Sequence, residues 1–321
     1  MTLLVLSGAD VRASFPPKEG LAPMREALKA LSRGDAHQPL RPVVAPEGAA
    51  GLLAMMPAYT GTDGYGVKIV CLFEGNTARG LDAHQGAMVL FSGDTGEALA
   101  LLNASVLTEL RTPATTAVAT ETLANPDATD VTIFGLGVQG AAHIRTLAAV
   151  RPLRRVQVVT RSDARAVCAA LSAELDLPVV VASSPEDAVR SADIVITATN
   201  AVSPLLRHSW LRPGTHVNAI GSCVPHTREL DTATMASSRV FVDSVESATH
   251  EAGDYVFAAR EGATVTLTPL GDVLLDRAPG RESEEEITVF ESVGLAIQDL
   301  AAARFVYARA KETGAGTRVE Y

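Results

Sequence analysis

The chain has 321 residues, 47% of them hydrophobic and 20% charged, which is the composition of an ordinary globular protein with room for two full cores. Its formal net charge of −10, with no basic stripe, argues against a nucleic-acid partner. Three cysteines, Cys71, Cys168 and Cys223, are too few for a disulfide framework in a chain this long and predict a reducing, cytoplasmic compartment. In chain order, VLSGADVRASFPP reads as a strand, a helix start at Ser7 and a Pro-Pro stop. PKEGLAPMREALKALSRG has apolar residues at helical spacing and a C-cap at Gly34. Residues 41–105 then hold short strand-like runs: RPVVAP, GLLAMMPAY, YGVKIVCLF, GAMVLFS and EALALLN. SGDTGE is a hairpin connection, and the region predicts a largely antiparallel sheet in an α+β unit.

LRTPATTAVATETLA predicts a helix, after which the pattern becomes regular. Strand-like DVTIFGLG, RRVQVVTRS, LPVVVAS, DIVITATN and THVNAIGS alternate with helix-like VQGAAHIRTLAAV, DARAVCAALSAEL and SPEDAVRSA. Short connections between alternating elements signal a doubly wound parallel sheet. EEEITVFESVGLAIQDLAAARFVYARAKETG reads as one long amphipathic helix that packs back on the first domain. The expected fold is α/β: a Rossmann-type sheet in residues 115–293, and a discontinuous α+β domain from residues 1–114 and 294–321. The N-terminal MTLLVLSGAD is too short for a secretory h-region, and no apolar run approaches the ~20 residues that span a bilayer. No membrane partner is expected, and no metal, because no Cys/His pair has zinc-ligand spacing.

The segment VTIFGLGVQGAAHI places Gly135, Gly137 and Gly140 in a G-x-G-x-x-G pattern, with Leu136, Val138 and Gln139 between them. The triplet alone also fits a glycine-rich turn without a ligand. Here it follows a buried strand and opens a helix, the context in which the pattern binds a dinucleotide pyrophosphate. The next strand would end in Asp or Glu if it held the ribose 2′-hydroxyl of NAD(H). It ends in Thr160, Arg161 and Ser162, with Arg165 one turn later. A guanidinium suits a 2′-phosphate, so NADP(H) is favoured and NAD(H) is the alternative, with Arg161 stacking on adenine. Lys68 stands in an apolar strand pattern. It reads either as a half-buried lysine of lowered pKa, suited to proton transfer, or as a snorkelling edge-strand lysine.

The sequence resembles the ornithine cyclodeaminase/μ-crystallin family over nearly its whole length. The resemblance rests on RPVV, MPAY, GVKIV, HQGAMVLFSGDTGEALALL, LTELRTPATTA, GLGVQGAAH, TATN, NAIGS followed by REL, and VFESVGLAIQDLAAA, in that order. It implies an NAD(P)(H)-dependent oxidoreductase of small α-imino or α-amino acids, and a homodimer built through the first domain. It implies that Arg41 and Lys68 hold the substrate carboxylate. Arg111 is shared between substrate and cofactor, and Thr112 lies beside the cofactor. His84 is expected near the ligand, with a solvated turn as its alternative. Ala198, Thr199 and Asn200 are expected to line the cofactor at the carboxyl edge of the sheet. Ile220 and Ser292 match positions beside the nicotinamide, Ser292 also reading as a structural residue at a helix start.

The cyclodeaminases of the family carry an aspartate in the loop where this sequence has Cys223. A thiol with a reference pKa of about 8.5 is a poor carboxylate substitute near neutrality. The reading is therefore a pocket wall at Cys223, Lys68 as the proton-handling residue, and reduction of a cyclic imino acid such as Δ1-pyrroline-2-carboxylate or Δ1-piperideine-2-carboxylate. An amino-acid or opine-type dehydrogenase is the second reading, ornithine cyclodeamination a weaker one, and an NADPH-holding binding protein the non-enzymatic one.

Overall fold

The computed structural model describes residues 2–320. They form two compact units, one running to Arg111 and resuming at Leu295, the other spanning Thr112–Gly294. The first boundary thus falls after residue 111 rather than 114, inside a helix, and the second after Gly294 rather than 293. No helix among the described residues is long and apolar enough to cross a membrane.

The first unit opens with β1 (Thr2–Leu6) and α1 (Gly8–Ser14). Ser7 caps α1: its Oγ accepts from Asp10 N, and the Asp10 carboxylate accepts from Ser7 N at 2.9 Å, a capping box. Next, α2 (Pro17–Arg33) starts on a proline at N1 and stops at Gly34, whose φ of +81° only glycine adopts freely. The strands follow: β2 (Ala36–His37), β3 (Val43–Val44), β4 (Leu52–Thr60), β5 (Gly64–Leu72), β6 (His84–Phe91) and β7 (Ala98–Asn103). Then α3 (Ala104–Leu123) leads away; the chain returns as α11 (Ala296–Thr313) and β16 (Thr317–Glu320). The sheet order is β16-β1-β7-β6-β5-β4-β2, with β3 on β4. Every pairing is antiparallel except β1 with β7. Alternation decides the faces: Met56, Gly66, Lys68, Met88 and Leu102 are buried on one side. A Cβ at Gly66 would lie 2.8 Å from the Leu300 side chain, which shows that this side carries α11.

The second unit alternates as its sequence predicts. Its elements are β8 (Asp130–Phe134), α4 (Val138–Val150), β9 (Arg155–Val159), α5 (Arg165–Leu175), β10 (Val179–Val181), α6 (Pro185–Arg190) and β11 (Ile194–Thr197). They continue with β12 (His216–Ala219), α7 (Thr232–Ser237), β13 (Arg239–Val242), α8 (Val245–Glu251), α9 (Gly253–Arg260), β14 (Leu267–Pro269), α10 (Leu270–Leu274) and β15 (Thr288–Glu291). The strand order β10-β9-β8-β11-β12-β15-β13-β14 is parallel throughout. β8, β11, β12 and β15 are buried along their whole length, as strands covered on both faces must be. The order reverses at β8, between β9 and β11, the switch point of a Rossmann-type sheet.

One expectation fails. The segment read as a single long C-terminal helix begins with strand β15, and the helix starts only at Ala296. Thr288, Val289 and Phe290 are β-formers, and β15 fills the slot between β12 and β13. Gly294, at φ +75°, then turns the chain into α11.

Candidate active site

In the first unit a buried charge cluster forms around one carboxylate. Lys68, midway along β5, is 3% exposed. Its Nζ lies 2.7 Å from Asp299 Oδ2. The Arg111 guanidinium, 4% exposed, donates from Nε to Asp299 Oδ1 at 2.9 Å and from Nη1 to Gln298 Oε1 at 3.1 Å. Lys68 Nζ also reaches Thr108 Oγ1 at 3.4 Å. Gln298 and Asp299 sit in the first turn of α11, where the positive end of the helix dipole favours a carboxylate. The Gln38 side chain caps the same turn, accepting from Ile297 N at 2.9 Å.

Burial sets the electrostatics here. The pKa of Lys68 is lowered to about 8, first by burial, then by Arg111 and Arg41, with Asp299 opposing. Burial pushes Asp299 up, but the two cations outweigh it and hold it below its ordinary range. His84, at the start of β6, stays exposed on its surface; partial desolvation and the Lys68 ammonium lower its pKa against Asp82. Lys68, Arg111, Arg41 and His84, all expected around one ligand, therefore belong to one electrostatic neighbourhood. Lys68 and Arg111 share a single carboxylate, so that trio is net positive while Lys68 is protonated. Such a cationic cluster suits a carboxylate.

In the second unit the glycine loop fits a dinucleotide. Gly135 has φ +90°, and a Cβ there would strike the Ala198 carbonyl oxygen at 2.7 Å. A Cβ at Gly140 would strike the Gly135 carbonyl oxygen at 2.1 Å. Gly137, the N-cap of α4, has nothing within 4 Å of its Cβ direction. No side chain caps α4 and its first turn holds no acidic residue, so the start of the helix, at Val138 and Gly140, suits the pyrophosphate of a dinucleotide. After β9, Thr160 and Ser162 bond each other, Oγ1 to Oγ at 3.2 Å. Asp163 lies 3.6 Å from Arg165 and accepts from Arg165 N, so it engages that cation. Arg161 is exposed and forms no ion pair among the described residues.

The carboxyl ends of β11 and β12 are held by a carboxylate that the motifs did not single out. Glu229, fully buried, accepts from Thr199 N, Thr199 Oγ1 and Gly221 N, each at 2.7 Å. Thr199 is thereby fixed, between half-buried Ala198 and exposed Asn200; Ile220 is half-buried. Asp254 in turn accepts from Glu229 N and Leu230 N, at 2.7 and 2.9 Å. Glu291, at the end of β15, has neither carboxyl oxygen bonded among the described residues. Burial, then Glu229, hold Asp254 up to about 8; burial, then Asp254, Glu229, Asp243 and Cys223, hold Glu291 well above its ordinary range. Half-buried Cys223 follows β12 in a loop pinned by Ser222 Oγ donating to Thr227 O. Ser292 donates its hydroxyl to Asp243 Oδ2 at 2.9 Å, which gives it a structural bond, and Thr112 is buried near the start of the unit. Among the described residues no group of His, Cys, Asp and Glu is arranged to hold a metal ion.

The model of the ornithine cyclodeaminase/mu-crystallin family matches residues 2–314. The chain belongs to this family. A Δ(1)-pyrroline-2-carboxylate reductase of Bacillus cereus is 34% identical over 99% of this chain and 100% of the relative. The Thermococcus litoralis Δ(1)-pyrroline-2-carboxylate reductase, solved in complex with NADH and L-proline, superposes with a TM-score of 0.94 at 33% identity, covering 99% of this chain and 100% of that one. An archaeal alanine dehydrogenase dimer with bound NAD superposes with a TM-score of 0.93 at 30% identity, covering 100% of both chains. This family member is an oxidoreductase of C–N or C=N bonds that uses a nicotinamide cofactor.

Several residues of this family member escaped the motif reading. Asp299 carried a signal, an acid inside the apolar run GLAIQDLAAA, where only a buried partner makes it tolerable. Glu291 in ITVFES and Asp254 in AGDYV carried the same signal. Thr108 and Gln298 carried none.

Proposed function

We propose that the chain is an NADPH-dependent reductase of small cyclic imino acids, of the Δ1-pyrroline-2-carboxylate or Δ1-piperideine-2-carboxylate type, giving the cyclic amino acid. The observation that carries this reading is Lys68: an almost fully buried ammonium, 2.7 Å from a carboxylate, with Arg111 on the same carboxylate. Arg111, Arg41 and Lys68 supply the charges that bind the substrate's carboxylate and orient its imine. With its pKa near 8, Lys68 is charged at neutral pH yet able to release a proton. That proton converts the imine nitrogen to an iminium, and Lys68 becomes a neutral amine that solvent recharges. A reduced nicotinamide, when bound, supplies the hydride that completes the C=N to CH–NH conversion. Gly135, Gly137 and Gly140, with the N-terminus of α4, hold its pyrophosphate.

Two relatives point to the substrate class, one by its name and one by the L-proline in its complex. The thiol of Cys223 disfavours cyclodeamination. Arg161, exposed and outside any ion pair among the described residues, favours a 2′-phosphate, although the two similar solved structures hold NADH and NAD. Likeness to an alanine dehydrogenase supports one second reading, an amino-acid or opine-type dehydrogenase using the same carboxylate clamp. A second copy of the chain is the proposed partner, in line with the dimeric alanine dehydrogenase.

The test follows NADPH and NADH consumption with both cyclic ketimines, then pyruvate plus ammonia, then pyruvate plus amino acids. The expected result is turnover with a cyclic ketimine and a higher kcat/KM for NADPH than for NADH. Turnover confined to pyruvate with an amine would establish the second reading. Equal kcat/KM for the two cofactors would remove the role given to Arg161.

A further inference from the structure

We propose that Asp299 is the positioning residue of the reductive step: one buried carboxylate, gripped by the Lys68 ammonium and the Arg111 guanidinium, holds the proton donor where the imine nitrogen is protonated. The inference rests on the reading of Lys68 as that donor.

Three features of the fold support it. Asp299 is fully buried, and its two oxygens are divided, Oδ2 toward Lys68 at 2.7 Å and Oδ1 toward Arg111 at 2.9 Å. It therefore sets the spacing between both cations that meet the substrate's carboxylate. It stands in the first turn of α11, an 18-residue helix whose start is fixed by Gln38 and Gln298, so the carboxylate rides on a rigid element. It is also the negative group that opposes burial, Arg111 and Arg41, all of which push the lysine toward discharge. His84, on β6, adds no charge in its neutral form. Without Asp299 the ammonium would stand buried beside two guanidiniums and release its proton at lower pH. The protein would then lose one of the three charges that grip the substrate's carboxylate, and with it the proton for the imine nitrogen.

The proton balance is explicit. In each turnover Lys68 loses one proton to the imine nitrogen, the nicotinamide cofactor loses a hydride to the carbon, and the lysine regains a proton from solvent. Asp299 neither gains nor loses a proton and does not touch the substrate.

The experiment compares wild-type protein with Asp299→Asn and Asp299→Glu. Calorimetry follows the binding of pyrrole-2-carboxylate, which cannot be reduced here, to the NADPH-loaded protein from about pH 6 to about pH 10. Steady-state kcat and KM for ketimine reduction are read over the same range. In the wild type, binding and kcat/KM fall as pH rises through about 8. In Asp299→Asn that limb moves toward acid by about one pH unit or more, and affinity at pH 7 drops about twofold or more. Asp299→Glu keeps the charge but displaces it by one methylene. Its limb stays near the wild-type position while kcat falls about tenfold or more. An unshifted limb in a folded, NADPH-binding Asp299→Asn protein would overturn the assignment. If that variant does not fold, wild-type kcat in Asp299→Glu overturns it equally. Wild-type protein that neither reduces a ketimine nor binds the inhibitor would instead bring down the functional reading itself, and this inference with it.

Discussion

Cys223 stands where the cyclodeaminases of the family place an acid, so its replacement tests how much chemistry this loop retains. The thiol is half-buried in a loop held by Ser222, Thr227 and Gly253. Glu291, pushed well above its ordinary range first by burial and then by Asp254, is an acid in the thiol's electrostatic neighbourhood. Lys68, by contrast, carries a proton that it can release. Cys223→Ala is therefore expected to keep kcat/KM for ketimine reduction within about threefold of wild type. Initial rates with NADPH check this, and a fall to background would return the thiol to the mechanism. Lys68 was legible in the sequence; Asp299 stood out there as an acid in an apolar run, but its partner did not. A lysine in an apolar strand is visible from its neighbours along the chain. Its partner lies far away in sequence, as Arg111 and Asp299 do at a separation of 188 residues, and the pairing appears only when α11 closes over β5.

At the scale of the element, buried acids crowd the carboxyl ends of β11, β12 and β15, and Glu229 ties the first two together. Glu229 has three donors and is satisfied; Glu291 has none among the described residues. An acid whose folded pKa is raised stabilises the fold fully only below its unfolded value, near 4, and that contribution is lost as pH rises through the folded pKa. For Asp254 the folded value is about 8, raised by burial and then Glu229, and the Asp254 charge in turn raises Glu291. Glu291→Gln is accordingly expected to melt higher than wild type at about pH 9, by roughly 2–4 °C for each 1 kcal/mol of relieved repulsion, and to differ little at about pH 5. Thermal melts at the two pH values check it; a gain of equal size at both would remove the electrostatic explanation. β11 and β12 were readable as apolar runs, β12 with a glycine end, and so was the α4 loop. β15 was not, because three glutamates before Ile287 and a long helical pattern after Leu295 surround only four strand residues. Local propensity favoured helix, and pairing with β12 and β13 decided for strand.

For the whole molecule, the half-buried apolar face of the first sheet fits the second copy proposed as its partner. α1, α2 and α11 pack together over the face that carries Met56, Lys68 and Met88. The alternate positions, among them Leu53, Met55, Val67, Ile69, Val89 and Leu101, are apolar and only half-buried. They run across β4, β5, β6 and β7, and β5 carries Lys68 on its other side, so covering one face steadies the scaffold of the site on the other. Monomers rarely expose contiguous apolar patches larger than a few hundred Å². A homodimer through this face would bury on the order of 1,200–2,000 Å² in total if it is of standard size. The wild-type protein is expected to elute as a dimer in size-exclusion chromatography with light scattering. Ile69→Glu, which places a charge at the centre of this face, is expected to give a monomer with lower melting temperature and reduced ketimine turnover, because β5 carries Lys68. Wild-type protein that stays monomeric at micromolar concentration, or an Ile69→Glu variant that remains dimeric, would show that this face serves something other than self-association.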